Sequence, residues 1–167
     1  MIAKIFDALG RHIESQIEGS TRHIGYGREL HSYPAFSIIR PTTASYSSNI
    51  RHLSDGQKLY IIRCAIRGYT RTMRETALDD AEYLARQLEL CISTFPRTFT
   101  LGSLVEQGVL TTQQGEDLET QDLFNIAIQR GATYMDDARV LSIETDEGLF
   151  APLGICDLEI EMFYVEA

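Results

Sequence analysis

Ala138-Arg139-Val140-Leu141-Ser142-Ile143-Glu144, then Thr145-Asp146-Glu147-Gly148-Leu149-Phe150-Ala151-Pro152, then Leu153-Gly154-Ile155-Cys156-Asp157-Leu158-Glu159-Ile160-Glu161-Met162-Phe163-Tyr164-Val165 decides the fold. The outer runs alternate in polarity and the middle run is turn-rich, the pattern of two antiparallel strands and their connection. Leu158, Ile160, Met162 and Tyr164 fall in one phase, Glu159 and Glu161 in the other. One face of that strand is therefore dry and the other wet. The hairpin is the element on which the rest is expected to pack.

Upstream, Ile2, Ile5, Phe6, Leu9, Ile13 and Ile17 recur at helical spacing, with Lys4, Asp7, Arg11, Glu14 and Glu18 opposite and Gly19 as a stop. This is an amphipathic helix. Ser20 to Tyr33 is polar and turn-rich and reads as a connecting loop. Its Gly25-Tyr26-Gly27 follows no strand and precedes no Gly-Lys-Ser/Thr, so a phosphate loop is not indicated. Pro34 to Arg40 is strand-like through Phe36, Ile38 and Ile39. Lys58 to Tyr69 alternates with Tyr60, Ile62, Cys64 and Ile66 in one phase and Arg63, Ala65 and Arg67 in the other. These two runs form a hairpin whose long polar tip, about Ser45 to Asp55, holds little that would pack down.

Leu78, Ala81, Leu84, Ala85, Leu88, Cys91, Ile92 and Phe95 define a second helix, ended by Pro96. Thr76-Ala77-Leu78-Asp79 has the form of a capping box, and Asp79, Asp80 and Glu82 stand where the helix dipole favours acid. Arg97 to Leu101 reads as a short strand. Gln121 to Arg130 reads as a helix through Leu123, Phe124, Ala127 and Ile128, and also as a strand through Phe124, Ile126 and Ile128. The fold class is α+β: a mainly antiparallel sheet with two principal helices on one face, in the order α-β-β-α-β-(insertion)-β-β. A single domain over 1–167 is expected, with an insertion at 102–137.

Twenty-four acidic against fifteen basic side chains give a net charge of -9. That argues against a binder that neutralises nucleic-acid phosphates with Lys and Arg. Cys64, Cys91 and Cys156 are far apart and odd in number, which fits buried thiols in a reducing compartment rather than disulfides or a zinc site. Asp7 interrupts the first apolar run and no apolar run approaches the length of a membrane span, so a soluble intracellular protein is expected.

Catalytic signals are weak. His12 flanks the apolar stripe of the first helix, and His23, His31 and His52 are expected in loops without ligand spacing. Asp79-Asp80 is explained by the helix start, and Asp136-Asp137 lacks the alternating ligands of a calcium loop. No Gly-x-Ser-x-Gly elbow exists. No cofactor, metal or catalytic group is expected, and the chain reads as no enzyme. Arg63, Arg67, Arg71 and Arg74 are the one basic concentration. They read as a solvated strand face, or as partners of Glu159 and Glu161, across the wet face of the sheet or between subunits. Exposed pairs contribute only about 0–1 kcal/mol each, so such pairs would set register and partner choice.

Thr145-Asp146-Glu147-Gly148-Leu149-Phe150-Ala151-Pro152-Leu153-Gly154, followed by an alternating strand to Tyr164, resembles the C-terminal hairpin of tail terminator (tail completion) proteins from long-tailed bacteriophages of the siphophage type. A leading amphipathic helix, Tyr33-Pro34-Ala35 opening a strand, Asp55-Gly56-Gln57 before another, and the long helix from Thr76 come in the same order, while Gly102 to Asp137 is longer here. The resemblance implies a structural virion protein, assembled in the host bacterial cytoplasm. It would form a homo-hexameric ring that caps the head-proximal end of the tail tube, stops its polymerisation and offers the surface that docks on the head. Its partners would be itself, the tail tube protein and a head-completion or neck protein. DNA would pass through the lumen without specific binding, and no membrane is involved. Tyr46, Asn49, Arg51, Asp55, Arg63, Arg67, Glu159 and Glu161 are the interface candidates, and Asp146 and Glu147 the lumen candidates. A small α+β enzyme or ligand-binding domain with a non-local site is the alternative.

Overall fold

The first helix, α1 (Ile2–Gln16), buries Ile5, Phe6, Leu9, Ile13 and, just past its end, Ile17, the stripe that its periodicity predicts. In the computed structural model, residues 2–23, 32–39, 50–52, 58–95, 108, 111, 113 and 134–166 are described. The strands are β1 (Thr21–His23), β2 (Ala35–Ile39), β3 (Ile50–His52), β4 (Lys58–Arg71), β5 (Tyr134–Thr145) and β6 (Leu153–Glu166); α2 (Ala77–Thr94) lies between β4 and β5. Among the described residues these strands form one sheet in the order β1-β2-β4-β6-β5, with β3 also paired to β4. The class is α+β, and the sheet is mostly antiparallel.

Two short strands were not foreseen. β1 lies in the stretch expected to be a connecting loop, and pairs parallel with β2 in the register Thr21 to Ala35. β3 lies within the expected tip loop and pairs antiparallel with the start of β4. Both are three residues long, too short for alternation to mark them. His23 and His52 therefore sit on strands rather than in loops. The expected β2–β4 hairpin is present, with Phe36 opposite Gly68 and Ile38 opposite Ile66. The expected strand at Arg97 to Leu101 and the helix or strand at Gln121 to Arg130 lie outside the described residues.

The helix α2 buries Ala77, Ala81, Leu84, Ala85, Leu88, Cys91 and Ile92; Leu78 is only half-buried. Its start differs from a capping box. A 3-10 turn, Arg74–Thr76, leads into the helix, and the Thr76 hydroxyl donates to the Asp80 carboxylate (2.9 Å) instead of accepting from a backbone amide. Among the described residues no helix is long and apolar enough to cross a membrane.

Two compact units are distinguished. The first comprises Met1–Thr43, Arg63–Phe95 and Arg139–Glu161, and the second Ala44–Ile62, Pro96–Ala138 and Met162–Ala167. In the first, α2 lies over the sheet face that carries Gly68 and Gly154, where backbone and helix approach closely. Phe36, Ile66, Cys156, Leu158 and Ile160 are buried there. Each such large side chain contributes roughly 1.5–3 kcal/mol. In the second unit, Ile62 and Met162 are buried and the rings of Tyr60 and Tyr164 lie 6.1 Å apart. All three cysteines are buried and free, as expected. Burial pushes the Cys156 thiol up to about 12, so it stays protonated and unreactive.

His12 joins the two helices. Its Nε2–H donates to the Cys91 carbonyl (3.0 Å) and lies as close to the Thr94 hydroxyl, and its ring packs against Phe95. Burial holds the imidazole below its ordinary range, and the Cys91 carbonyl offsets this in part. The folded state thus takes up a proton less readily than the unfolded chain. Its contribution to stability is present above the unfolded value near 6.5 and is lost as pH falls through it toward the lower folded value. Thermal melts between pH 7.5 and 5.5 should show a falling midpoint, and His12→Gln should flatten the slope. A slope unchanged by the substitution would remove His12 as its source.

Candidate assembly surfaces

The sheet face away from α2 carries a charged ladder between β4 and β6. Arg63 Nε donates to Glu161 Oε2 at 2.8 Å. Arg67 grips Asp157 with two bonds, Nε to Oδ1 at 2.7 Å and Nη2 to Oδ2 at 2.8 Å. On the opposite face Gly68 stands against Cys156, and Gly154 against Thr70. One antiparallel register accounts for all four pairings. Arg63 and Arg67 are four residues apart, and so are Asp157 and Glu161, so both pairs form at once. Glu161 is 9% exposed, while Glu159 is exposed and makes no ion pair among the described residues. Of the two carboxylates expected as partners of the arginines, Glu161 is one and Glu159 is not: Arg67 takes Asp157, because the register puts Glu159 opposite Ala65. The matched spacing of two arginines and two carboxylates is the sequence signal that would have found it.

The turn between β5 and β6 is organised by Asp146. Its carboxylate faces the backbone N–H groups of Gly148, Phe150 and Ile155, each at 3.3 Å. Its own N–H donates to the Ile155 carbonyl at 3.0 Å, and its carbonyl accepts from Leu149 at 3.0 Å. Glu147 and Gly148 take positive φ (53° and 80°), which reverses the chain. The Thr-Asp-Glu-Gly signature thus has a local physical cause. Asp146, expected as a lumen group, is occupied by this turn, whereas Glu147 is exposed.

The turn holds Leu149 and Phe150 outward, 78% and 57% exposed. β5 is the last strand of the sheet order, and its Leu141 and Ile143 are exposed too. Among the described residues β5 has one strand neighbour, and an edge strand with outward apolar side chains readily accepts another chain. Beside it a cleft of about 670 Å³ is lined by Glu82, Arg86 and Glu89 of α2 and by Ile143, Glu144, Thr145 and Glu147. A smaller hollow of about 400 Å³ is lined by Arg63, Arg67 and Asp157 of the ladder and by Ile39, Ser142 and Glu144.

The sequence-predicted interface residues are thus dispersed. Tyr46, Asn49 and Asp55 lie outside the described residues, and Arg51 is placed on β3 by its backbone alone. Arg63, Arg67 and Glu161 are brought together, in pairs made within one chain. Leu141, Ile143, Leu149 and Phe150 were missed as surface groups, because alternation shows which residues share a face but not that the strand ends the sheet. A scan against protein-family models finds no match, nor does a search of curated protein sequences.

Proposed function

We propose that this chain is a structural tail protein of a long-tailed bacteriophage. It forms a homo-hexameric ring that caps the head-proximal end of the tail tube, stops tube polymerisation and provides the surface on which the head docks. The observation that carries the reading is β5, last in the sheet order among the described residues, and its turn, which present Leu141, Ile143, Leu149 and Phe150 outward. A ring closes by heterologous contacts, each subunit giving two different patches, and this apolar edge is suited to be one of them. The order of α1, β2, β4, α2 and the closing hairpin agrees with the order on which the resemblance rests. In this reading the protein is assembled in the bacterial cytoplasm and ends in the virion, between the tube protein and a neck or head-completion protein. The net charge of -9 suits a lumen that repels passing DNA. The reading assigns the chain no catalytic step and no cofactor.

Electron microscopy of tails made without the protein is the test. Tubes of irregular, extended length that fail to join heads are expected. Tubes of normal, uniform length would sink the reading. A sizing measurement on the purified protein separates it from a monomeric or dimeric enzyme or ligand-binding domain, since a hexamer is expected at high concentration or on tail tubes.

A further inference from the structure

The cleft beside β5 is lined mainly by acidic side chains, with Ile143 the apolar side chain among them. Ile143 lies among Glu82, Glu89, Glu144 and Glu147, four carboxylates against the single guanidinium of Arg86. Tyr83 and Leu90 are also exposed on α2. Among the described residues no group of three potential ligands is placed to hold a metal ion. Such a lining suits a cationic segment that carries an apolar side chain between its charges.

The same chain displays such a segment. Arg71-Thr72-Met73-Arg74, leaving β4 and entering the turn before α2, is exposed throughout, with Met73 at 64%. Arg11, Arg22, Arg63 and Arg67 are each held by a carboxylate of their own chain. Arg71 and Arg74 make no ion pair among the described residues, and the one carboxylate next to them in sequence, Glu75, is exposed as well. The segment is also held in place. The Thr72 and Thr76 hydroxyls both bind the Asp80 carboxylate, and the Thr76 N–H donates to the Met73 carbonyl at 3.3 Å. A patch ordered before association loses little conformational freedom on binding.

We infer that the acidic cleft of one copy receives the Arg71–Arg74 segment of the next. Arg71 and Arg74 then meet the carboxylates of the cleft, and Met73 covers Ile143. The contact is heterologous, since each copy gives its basic segment on one side and its cleft on the other, and repetition closes a ring. Complementary charge at such a contact selects the partner and speeds encounter. The inference rests on the ring reading and supplies its subunit interface.

Charge reversal tests it. Arg71→Glu with Arg74→Glu, and separately Glu82→Lys with Glu89→Lys, are compared with the unmodified protein by sedimentation at high concentration and on isolated tail tubes. Each reversed pair should weaken association about tenfold or more, while melting as the unmodified monomer does. An equal mixture of the two variants should restore the ring, because alternate copies again meet with opposite charges and an even number of subunits closes the cycle. Should the reversed variants fold poorly, Arg71→Gln with Arg74→Gln keeps the test, with a smaller loss expected. Reversed variants that assemble like the unmodified protein, or a mixture that stays dissociated, overturn the interface and leave the ring reading standing. Unmodified protein that never associates, with tails of normal length in its absence, overturns both.

Discussion

Replacing Gly154 by alanine is expected to destabilise the protein by about 2–3 kcal/mol, the upper part of the range for overfilling a packed site. A Cβ there would stand 2.5 Å from Thr70 Oγ1, 2.6 Å from the Ala77 carbonyl oxygen and 3.1 Å from the Ala81 Cβ. Two of these neighbours belong to α2, and one is backbone. The clash is relieved only if the start of α2 moves off the sheet. The opposing effect, a stiffer unfolded chain, stabilises by only about 0.4–1 kcal/mol, so the clash decides the sign. Gly68→Ala is the informative comparison. Its Cβ would meet Cys156 Sγ at 2.7 Å and Leu84 Cδ2 at 2.9 Å, which are side-chain ends that can shift. About half the loss is expected there. For a chain of this size the Gly154 variant should melt roughly 4–12 °C lower. A melt matching the unmodified protein would mean that α2 and β6 do not approach as closely as described.

The elements with many periods were legible in the sequence. α1, α2, β4 and the β5–β6 hairpin each repeat their pattern several times, and a long pattern outweighs local exceptions. β1 and β3 were hidden because three residues are too few to show a period. They are strands because a neighbouring backbone pairs with them. The start of α2 departs from the capping box for a related reason. Thr76 and Asp80 are near enough to bond to each other once the 3-10 turn forms, and a four-residue motif does not show which partner the hydroxyl takes.

The candidate surface was legible only in part. The arginines on β4 stand out as a charge concentration, but their partners follow from the register, which is a property of two strands about ninety residues apart. The acidic cleft draws Glu82 and Glu89 from α2 and Glu144 and Glu147 from the hairpin. No local motif joins them. The turn signature fared better, since Asp146 acts on backbone groups within nine residues of itself. Local chemistry was readable where the chain folds back on its neighbours, and unreadable where distant elements meet.

Arg63→Glu is expected to cost about 2 kcal/mol of stability. Breaking a buried ion pair by removing one partner costs about 3–5 kcal/mol, and exposure of the arginine reduces this. The Arg63 side chain is 62% exposed, but that of Glu161 is only 11% exposed. The substitution removes the cation and sets a second carboxylate beside the buried one. Arg67→Ala should cost less, about 1 kcal/mol, since Arg67 and Asp157 are both about one-third exposed and water partly replaces the lost bonds. Urea unfolding of Arg63→Gln, Glu161→Gln and the double variant would isolate the pair: the double should recover much of what Arg63→Gln loses, because no uncompensated charge remains buried. Strictly additive losses would show that the two do not interact. On sequence grounds, reversing Arg63 and Arg67 is expected to weaken assembly and leave the monomer folded. The ladder alters that expectation. An assembly defect in Arg63→Glu reports on the interface only after its loss of fold stability is subtracted, whereas reversal at Arg71 and Arg74 breaks no ion pair among the described residues and reports on association directly.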